Sequence, residues 1–364
     1  MLAPAQKTWR VETRTKASSI FSVVALAAVA LGVAAPFFAA RGTLQDLFFI
    51  LTMLVLAQSW NLLAGYAGLV SVGQQAFVGF GAYVMFACVI LAGVDPLLSI
   101  LVAGVGSALL AVPMAFFLFR LQGAYFAIGS WVVAEVVRLA VAQWKVLGGG
   151  TGTSLPRDAV RDMWGLEAVG RFFGVRASGA GDILTYWLAL ALAVLTVGLI
   201  YRLLRSRQGL GLTAVRDNQE AARSVGVDAS RMKATVYFAA AFVTGLCGAL
   251  IYVQKARISP DAAFAVTDWT AYVIFIVVIG GIGTIEGPIV GVIVFFVLQK
   301  LLAGYGSWYL MVLGLIGIAV MLFAPRGLWG LFAQRTGIQL FPVRRRLAGA
   351  PQPLSENTKG GPNG

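Results

Sequence analysis

Long apolar runs recur along almost the entire chain and are separated by short polar or glycine-rich segments. Several runs reach the roughly 20 residues that an α-helix needs to cross a hydrocarbon core of about 30 Å. This pattern predicts an all-α protein, a polytopic helical bundle embedded in a membrane with about ten spans. The predicted spans are 18–40, 44–63, 76–94, 97–119, 124–142, 183–204, 233–254, 269–283, 287–302 and 306–323.

One apolar stretch is too long to be a single span. A continuous helix over 269–302 would be about 51 Å long, well beyond the thickness of a bilayer. The segment GGIGTIEGP at 280–288 contains four glycines, a glutamate and a proline. Glycine and proline end helices, so the stretch is predicted to form two spans with a break between them.

Basic residues beside the spans predict the orientation of the chain in the membrane. The segment 205–232 holds five arginines and three acidic residues, and the tails 1–17 and 331–364 are also basic. Because cytoplasmic segments are enriched in Lys and Arg, an even number of spans places all three on that side. The transmembrane domain is then 18–330, with an external loop at 143–182. The last stretch, 347–364, is rich in Pro, Gly and Asn, and the C-terminal tail 331–364 is predicted to be disordered.

Composition narrows the chemistry that the chain can perform. Only 12% of the 364 residues are charged, mean hydropathy is +0.84, and there is no histidine. Cys88 and Cys247 lie in apolar runs, so neither a zinc site nor a disulfide framework is predicted. The segment GGGTGTSLP at 148–156 lacks the Lys of a phosphate-binding loop. We therefore expect no enzymatic activity, no metal and no cofactor bound by this chain. The net charge of +13 fits membrane orientation better than nucleic-acid binding.

Ionisable residues inside the predicted spans are scarce. Glu135 and Arg138 lie three residues apart on one helix, where they can form an ion pair. Two interpretations remain open, a structural pair or a lining of the substrate path. A carrier driven by protons or sodium usually places acids or unwound helices near the centre of the membrane. The scarcity of acids therefore disfavours an ion-coupled secondary transporter.

A second glycine-rich segment, NLLAGYAGLVSVGQQAFVGFGAYV at 61–84, joins the second and third spans. Its uncharged polar side chains lie at or near membrane depth, where irregular backbone is tolerated only inside protein or beside a watery cavity. The glycines are also consistent with tight helix packing. A packing role and a broken element lining a pathway are both compatible with the sequence. The candidate residues here are Asn61, Gly65, Gly68, Ser71, Gln74 and Gln75.

The charged segment RDNQEAARSVGVD at 216–228 stands out among the apolar runs. Asp217 followed by Glu220 has the spacing of a helix N-cap with its reciprocal acid, which predicts a short helix over 218–225. Gly226 is placed to end that helix, and Asp228 offers a second N-cap before the next span. A solvated linker is the simplest alternative, although a linker does not need two capped helices.

The residues EAARSVG at 220–226 match the EAAxxxG loop of permeases from ATP-binding-cassette importers, although the proline usual downstream is replaced by Ala239. The chain from about 44 to 330 resembles permeases of the branched-chain amino acid importer family. Segments similar to the family, in order, are NLLAGYAGLVSVGQQAFVGFGAY, RLQGAYFAIGSWVVAEVVRLAV, GGGTGTSLP, AVRDNQEAARSVGVD and GGIGTIEGPIVGVIV.

The resemblance implies a non-enzymatic subunit of a bacterial inner-membrane importer with both termini in the cytoplasm. Its expected partners are a second homologous permease, two cytoplasmic subunits that hydrolyse ATP, an external solute-binding protein and the lipid bilayer. The short helix would dock on an ATPase, and the residues expected to couple the two are Arg216, Asp217, Glu220, Ala221, Ala222, Arg223 and Gly226. Tyr125, Glu135 and Arg138 join the glycine-rich breaks as candidate pathway lining.

The substrate is not decided by these motifs. Branched-chain amino acids are the first expectation, but relatives in the same family carry urea, short amides or other amino acids. A stand-alone secondary transporter and a non-transporting membrane scaffold are the rival classes. Glycine-rich polar spans would be an odd choice for a scaffold.

Overall fold

The computed structural model describes residues 10–12, 16–305, 308–337, 340–342 and 346–348. These residues form sixteen α-helices and four short strands. The helices are α1 Lys16–Ala34, α2 Arg41–Asn61, α3 Gln74–Ala92, α4 Pro96–Leu118, α5 Ala124–Ala142, α6 Arg157–Arg161, α7 Leu166–Phe173, α8 Ala177–Arg205, α9 Arg207–Asp217, α10 Gln219–Ser224, α11 Ala229–Lys255, α12 Pro260–Ala263, α13 Tyr272–Gly280, α14 Glu286–Leu302, α15 Trp308–Phe323 and α16 Gly327–Thr336. The strands are β1 Arg10–Glu12, β2 Thr153–Ser154, β3 Arg257–Ile258 and β4 Arg346–Ala348.

Within the described residues, nine helical segments are long and apolar enough to cross a membrane, which confirms the polytopic helical fold. They are Ile20–Phe37, Arg41–Tyr66, Gln74–Ala92, Pro96–Leu118, Ala124–Ala142, Ala177–Arg205, Ala229–Lys255, Pro260–Gly280 and Leu310–Thr336. The remaining predicted span, 287–302, corresponds to α14. Helix α14 has 17 residues and is slightly too short to be counted with those nine segments. Its length of about 25 Å is nevertheless close to the thickness of a bilayer core.

The predicted break between 269–283 and 287–302 is confirmed. Helix α13 ends at Gly280, the chain turns over 281–285, and α14 starts at Glu286. A Cβ added to Gly280 would meet the backbone of Gly287, and one added to Gly291 would meet the carbonyl of Ile276. These contacts show that α13 and α14 form a closely packed antiparallel hairpin. The chain therefore reverses direction at the break instead of continuing as one helix.

The core of the bundle lies where α2, α3 and α11 pack together, with α4 against α11 and the α13–α14 hairpin against α2. Glycines bring the backbones into contact, since a Cβ on Gly81 would meet Gly245 and one on Gly248 would meet Val78. Large side chains such as Trp60 fill the space between the helices. By contrast, α1, α4, α5, α8 and α15 expose many apolar side chains, as expected for surfaces that face lipid.

The two loops singled out in the sequence lie at opposite ends of the bundle. Helix α8 joins them and has 29 residues, or about 43 Å. The loop 143–182 contains α6 and α7 and is fastened by β2, which pairs antiparallel with β3 after α11. We call this the β2–β3 end. The segment 205–232, with α9 and α10, forms the α10 end.

The prediction of a disordered tail over 331–364 is wrong for its first residues. Helix α16 continues to Thr336, because GLWGLFAQRT is an apolar helix-forming segment. The backbone amides of Leu340 and Phe341 donate hydrogen bonds of 3.2 and 2.9 Å to the Glu286 carboxylate. Strand β4 pairs with β1 near the N-terminus. The rest of the predicted tails, including 349–364, lies outside the described residues.

Candidate functional site

The two glycine-rich breaks predicted from the sequence meet at the α10 end of the bundle. Helix α2 continues into a π-helical turn, Leu62–Tyr66, which lies against the hairpin loop 281–285. The Asn61 side chain joins them, because its Nδ2 donates to the Thr284 carbonyl at 2.8 Å and its Oδ1 accepts from the Gly283 amide at 2.8 Å. We call the π-helical turn and this hairpin loop the junction.

Close packing at the junction requires glycine. A Cβ on Gly65 would lie 2.6 Å from the Gly283 amide nitrogen, well inside contact distance. Gly283 itself has a φ of +76°, a left-handed conformation that glycine adopts at little cost. Gln58, one turn before Asn61 on α2, donates from Nε2 to the Ile285 carbonyl at 2.7 Å. The junction is thus held by side-chain amides of α2 that satisfy backbone groups left open in the turn between α13 and α14.

Arg216 connects the segment 205–232 to the junction. Its Nη1 donates to the Gly65 carbonyl at 2.9 Å, and its Nε and Nη2 donate to Asp217 at 3.0 and 2.9 Å. Gly68, where φ is +69°, lies beneath the same side chain, since an added Cβ would be 3.6 Å from Arg216 Cγ. A charged donor that bridges 151 residues of sequence therefore links α9 to the interrupted end of α2.

The short helix α10 forms nearly where the sequence predicts it, but its cap is different. Asp217 is the last residue of α9, and the N-cap of α10 is Asn218. The Asn218 Oδ1 accepts from the amides of Glu220 and Ala221 at 3.1 and 3.0 Å. Asp217 instead pairs with Arg216, so the predicted cap is wrong by one residue. Neighbouring Asp and Asn are both good caps, and sequence spacing does not decide between them.

The end of α10 follows the sequence prediction. Gly226 adopts a φ of +86°, the left-handed conformation that stops a helix. The Asp228 side chain accepts from the Arg231 amide at 3.0 Å and caps α11. On the inner side, Ala222 packs against Val215 and Ala229. Ala222 therefore fastens α10 to the two flanking helices instead of facing outward.

The outer face of α10 is open. Glu220, Ala221, Arg223 and Gly226 are exposed, and Val225 presents 76% of its surface, an unusual exposure for an apolar side chain. The exposed residues combine charged side chains with one large apolar side chain, Val225. We refer to these five residues as the α10 face.

Replacing Asn218 with alanine should loosen α10, because two helix amides lose their acceptor. The expected cost is about 1 kcal/mol of local stability. Hydrogen exchange at the amides of Glu220 and Ala221 should accelerate roughly fivefold. Asp217→Ala is the matched control and should leave those amides unchanged. Faster exchange in Asp217→Ala alone would contradict the cap assignment.

Three further candidates, Ser71, Gln74 and Gln75, are buried beyond the junction and form hydrogen bonds. The Ser71 carbonyl accepts from Trp60 Nε1 at 2.7 Å, and Gln74 Nε2 donates to Leu56 at 2.9 Å. Thr270 Oγ1 donates to the Gln75 side chain. These contacts tie the start of α3 to α2 and to the π-helical turn Thr267–Ala271. In this structure the three residues bind helices together inside the bundle, and their predicted place along a pathway stays a prediction.

Glu135 and Arg138 form the predicted pair, with distances of 2.6 to 3.0 Å. Arg138 also donates from Nη1 to Asp261 at 2.7 Å, which links α5 to α12. Tyr125 is exposed near the start of α5, about 20 Å along the helix from Arg138. The structure therefore separates Tyr125 from the other two residues, and the bridge to Asp261 supports a structural role for the pair.

Several residues at these sites were missed by sequence reasoning. Gln58 was identifiable, because it lies three positions before Asn61 and so shares its helix face. Asp261 carries no such signal, because its partner lies 123 residues away. Within the described part of the chain, no group of three or more Cys, Asp or Glu residues is placed to hold a metal ion.

A bundle of many apolar helices long enough to cross a bilayer and packed closely through glycines is the architecture of a polytopic membrane protein. A family model described as "Branched-chain amino acid transport system / permease component" matches residues 42–324. The chain belongs to this family of branched-chain amino acid transport permeases, as its motifs predicted.

Curated relatives agree with this assignment. The chain is 28% identical over 314 residues to the high-affinity branched-chain amino acid transport system permease protein LivM of Escherichia coli (strain K12), covering 83% of this chain and 73% of the relative. LivM of Salmonella typhimurium matches equally. A probable branched-chain amino acid transport permease protein LivM of Methanocaldococcus jannaschii is 23% identical over 256 residues, or 65% of this chain and 69% of the relative. No solved structure matches the chain significantly.

Proposed function

We propose that this chain forms half of the translocation pathway of an ATP-driven importer for branched-chain or related amino acids. The importer lies in the bacterial inner membrane, with the α10 end in the cytoplasm and the β2–β3 end outside. A second permease completes the pathway, two ATPase subunits supply energy, and an external solute-binding protein delivers the substrate. Family membership and the names of the relatives support the substrate class.

The observation that carries the proposal is the hydrogen bond from Arg216 to the Gly65 carbonyl. It connects the segment that carries the α10 face with the place where the end of α2 meets the α13–α14 hairpin loop. Ala222 packs in one cluster with Val215 and Ala229, so we expect α10 and α9 to move together. A displacement of α10 by an ATPase therefore reaches Arg216 without being absorbed by a loose loop.

At the junction, the displacement acts on helices that cross the bundle. The π-helical turn ends α2, and the hairpin loop joins α13 to α14. The hydrogen bonds of Arg216 and Asn61 therefore reach the ends of three helices. The π-helical turn is a point at which the end of α2 can change its angle, because irregular turns are where helices bend. ATP binding and hydrolysis in the partner then alternate the access of the pathway between the two sides of the membrane.

Placing a lysine at Ala221 should prevent the ATPase from docking on the α10 face. A long charged side chain at the centre of an interface costs several kcal/mol and should reduce co-purification of the ATPase at least tenfold. Lysine or proline at Gly226 should have the same effect, because neither adopts its left-handed conformation readily. The measurement is the amount of ATPase retained by the affinity-tagged chain when all subunits are co-expressed.

Ala168→Lys provides the matched control. Ala168 is an exposed alanine of α7, at the β2–β3 end. The same substitution there should leave ATPase binding unchanged. Normal uptake and normal ATPase retention in Ala221→Lys would overturn the docking role of α10.

A further inference from the structure

A cavity of about 340 Å³ opens at the β2–β3 end, far from the junction. It lies between the start of α2, the end of α11, the π-helical turn Thr267–Ala271 and the end of α14. Its volume is in the range of sites that hold small molecules. None of the side chains that line it stood out in the sequence.

The polar side of the cavity carries one cation and one acid. Lys255 and Asp268 both line it, yet within the described residues they form no ion pair within 4.0 Å with each other or with another group. The Lys255 ammonium lies 4.8 Å from the centre of the Trp269 ring, which positions the charge without neutralising it. Gln254 adds an Nε2 atom that is buried and has no hydrogen-bond partner in the described structure.

The cavity lining also includes apolar side chains. These are Phe48, Phe49, Met53, Ile251 and Trp269. Phe48, Met53 and Ile251 are also buried in the core of the bundle. The cavity therefore combines two opposite charges, a free amide donor and an apolar wall.

We propose that this cavity binds a free α-amino acid with an apolar side chain on its way into the translocation pathway. Lys255 and Gln254 donate to the carboxylate, Asp268 accepts from the ammonium group, and the side chain lies against Phe48, Met53 and Ile251. The assignment rests on the proposed function and narrows its substrate class. A zwitterion carries one positive and one negative charge, and an oppositely charged side chain for each lines the cavity, with Lys255 exposed and Asp268 partly buried. Urea or a short amide carries neither charge and would leave both partners unused.

The test uses the complete importer in proteoliposomes, with external binding protein and radiolabelled leucine. Lys255→Gln and Asp268→Asn should each lower kcat/KM for leucine uptake about 10- to 100-fold, the usual effect of losing a hydrogen bond to a charged group. The uptake rate is divided by the amount of assembled transporter, which is measured as the amount of ATPase that co-purifies with the chain. Lys255→Arg keeps the charge and should retain uptake within about threefold of the wild type.

Lys300→Gln and Asp46→Asn serve as matched controls. Lys300 and Asp46 pair with each other at the same end of the bundle and do not line the cavity. Both controls should transport leucine at the wild-type rate. Wild-type uptake in Lys255→Gln and Asp268→Asn, or an equal loss in the controls, would overturn the cavity assignment and leave the proposed function standing. A wild-type importer that takes up urea and no amino acid would overturn both.

Discussion

Replacing Arg216 with glutamine should lower ATP-driven uptake about 10- to 100-fold while ATPase binding and hydrolysis continue. The guanidinium donates to the Gly65 carbonyl at 2.9 Å, and a shorter neutral amide cannot span the same distance. Losing a hydrogen bond from a charged group costs about 1.5–3 kcal/mol, which corresponds to that loss of rate. The α10 face itself is unchanged, so the ATPase should still dock and hydrolyse ATP without moving substrate.

Arg231→Gln is the matched control for this prediction. Arg231 lies in the same segment, is highly exposed, and pairs only locally with Asp228. An exposed pair of this kind contributes about 1 kcal/mol or less, so uptake should be nearly normal. Equal uptake by the Arg216→Gln and wild-type importers, measured side by side in proteoliposomes, would show that force does not reach the bundle through Arg216.

Replacing Gly291 with alanine should strongly destabilise the chain, because the added methyl group has no room between two packed helices. Its Cβ would lie 1.9 Å from the Ile276 carbonyl oxygen, so α13 and α14 would have to separate. Overpacking against backbone costs about 1–3 kcal/mol or more, since no side chain can rotate away. The temperature at which half of the detergent-solubilised chain remains monodisperse should therefore fall by several degrees.

Gly198→Ala makes the same substitution at a position with free space, where the opposite effect on stability is expected. Gly198 lies in α8, and nothing lies within 4 Å of its added Cβ. Alanine is favoured over glycine in a helix by about 0.5–1 kcal/mol, so stability should stay constant or rise. A similar loss of stability in both variants would contradict the close packing of the hairpin.

Much of the fold was predictable because hydrophobic runs and helix-ending residues are local signals. The break at 280–288 and the left-handed Gly226 followed directly from glycine and proline positions. Asp228 was predictable as a helix cap because Asp is a preferred residue directly before the first turn of a helix. What the local pattern could not decide was the choice between Asp217 and Asn218, which depends on how α9 ends.

The contacts that make the candidate site were beyond the reach of local patterns. Arg216 and Gly65 are separated by 151 residues, and no periodicity relates them. The predicted order of the spans places Arg216 and Gly65 on the same side of the membrane. This predicts that the two residues are near each other, but not that they form a hydrogen bond. Lys255 and Asp268 were missed because each lies at the edge of an apolar run, where a charged residue ordinarily marks the end of a span.

The C-terminal segment shows a different failure. The Pro, Gly and Asn content of 347–364 predicted disorder, and the prediction was extended to the whole tail from 331. The apolar residues at the start of that tail instead continue α16 to Thr336. The Glu286 carboxylate then holds the chain at Leu340 and Phe341, a long-range contact that composition does not record.

In the proposed transport cycle, movement of α10 reaches the junction through Arg216. Hydrogen exchange at the Gly283 and Gly287 amides reports on this step. The Gly283 amide donates to the Asn61 side chain, and the Gly287 amide donates to the side chain of Thr284 in the hairpin loop. In the assembled importer, adding ATP should change their exchange rates at least severalfold, and the change should vanish in Arg216→Gln. If ATP leaves these exchange rates unchanged in the wild type, or changes them equally in Arg216→Gln, Arg216 does not couple α10 to the junction.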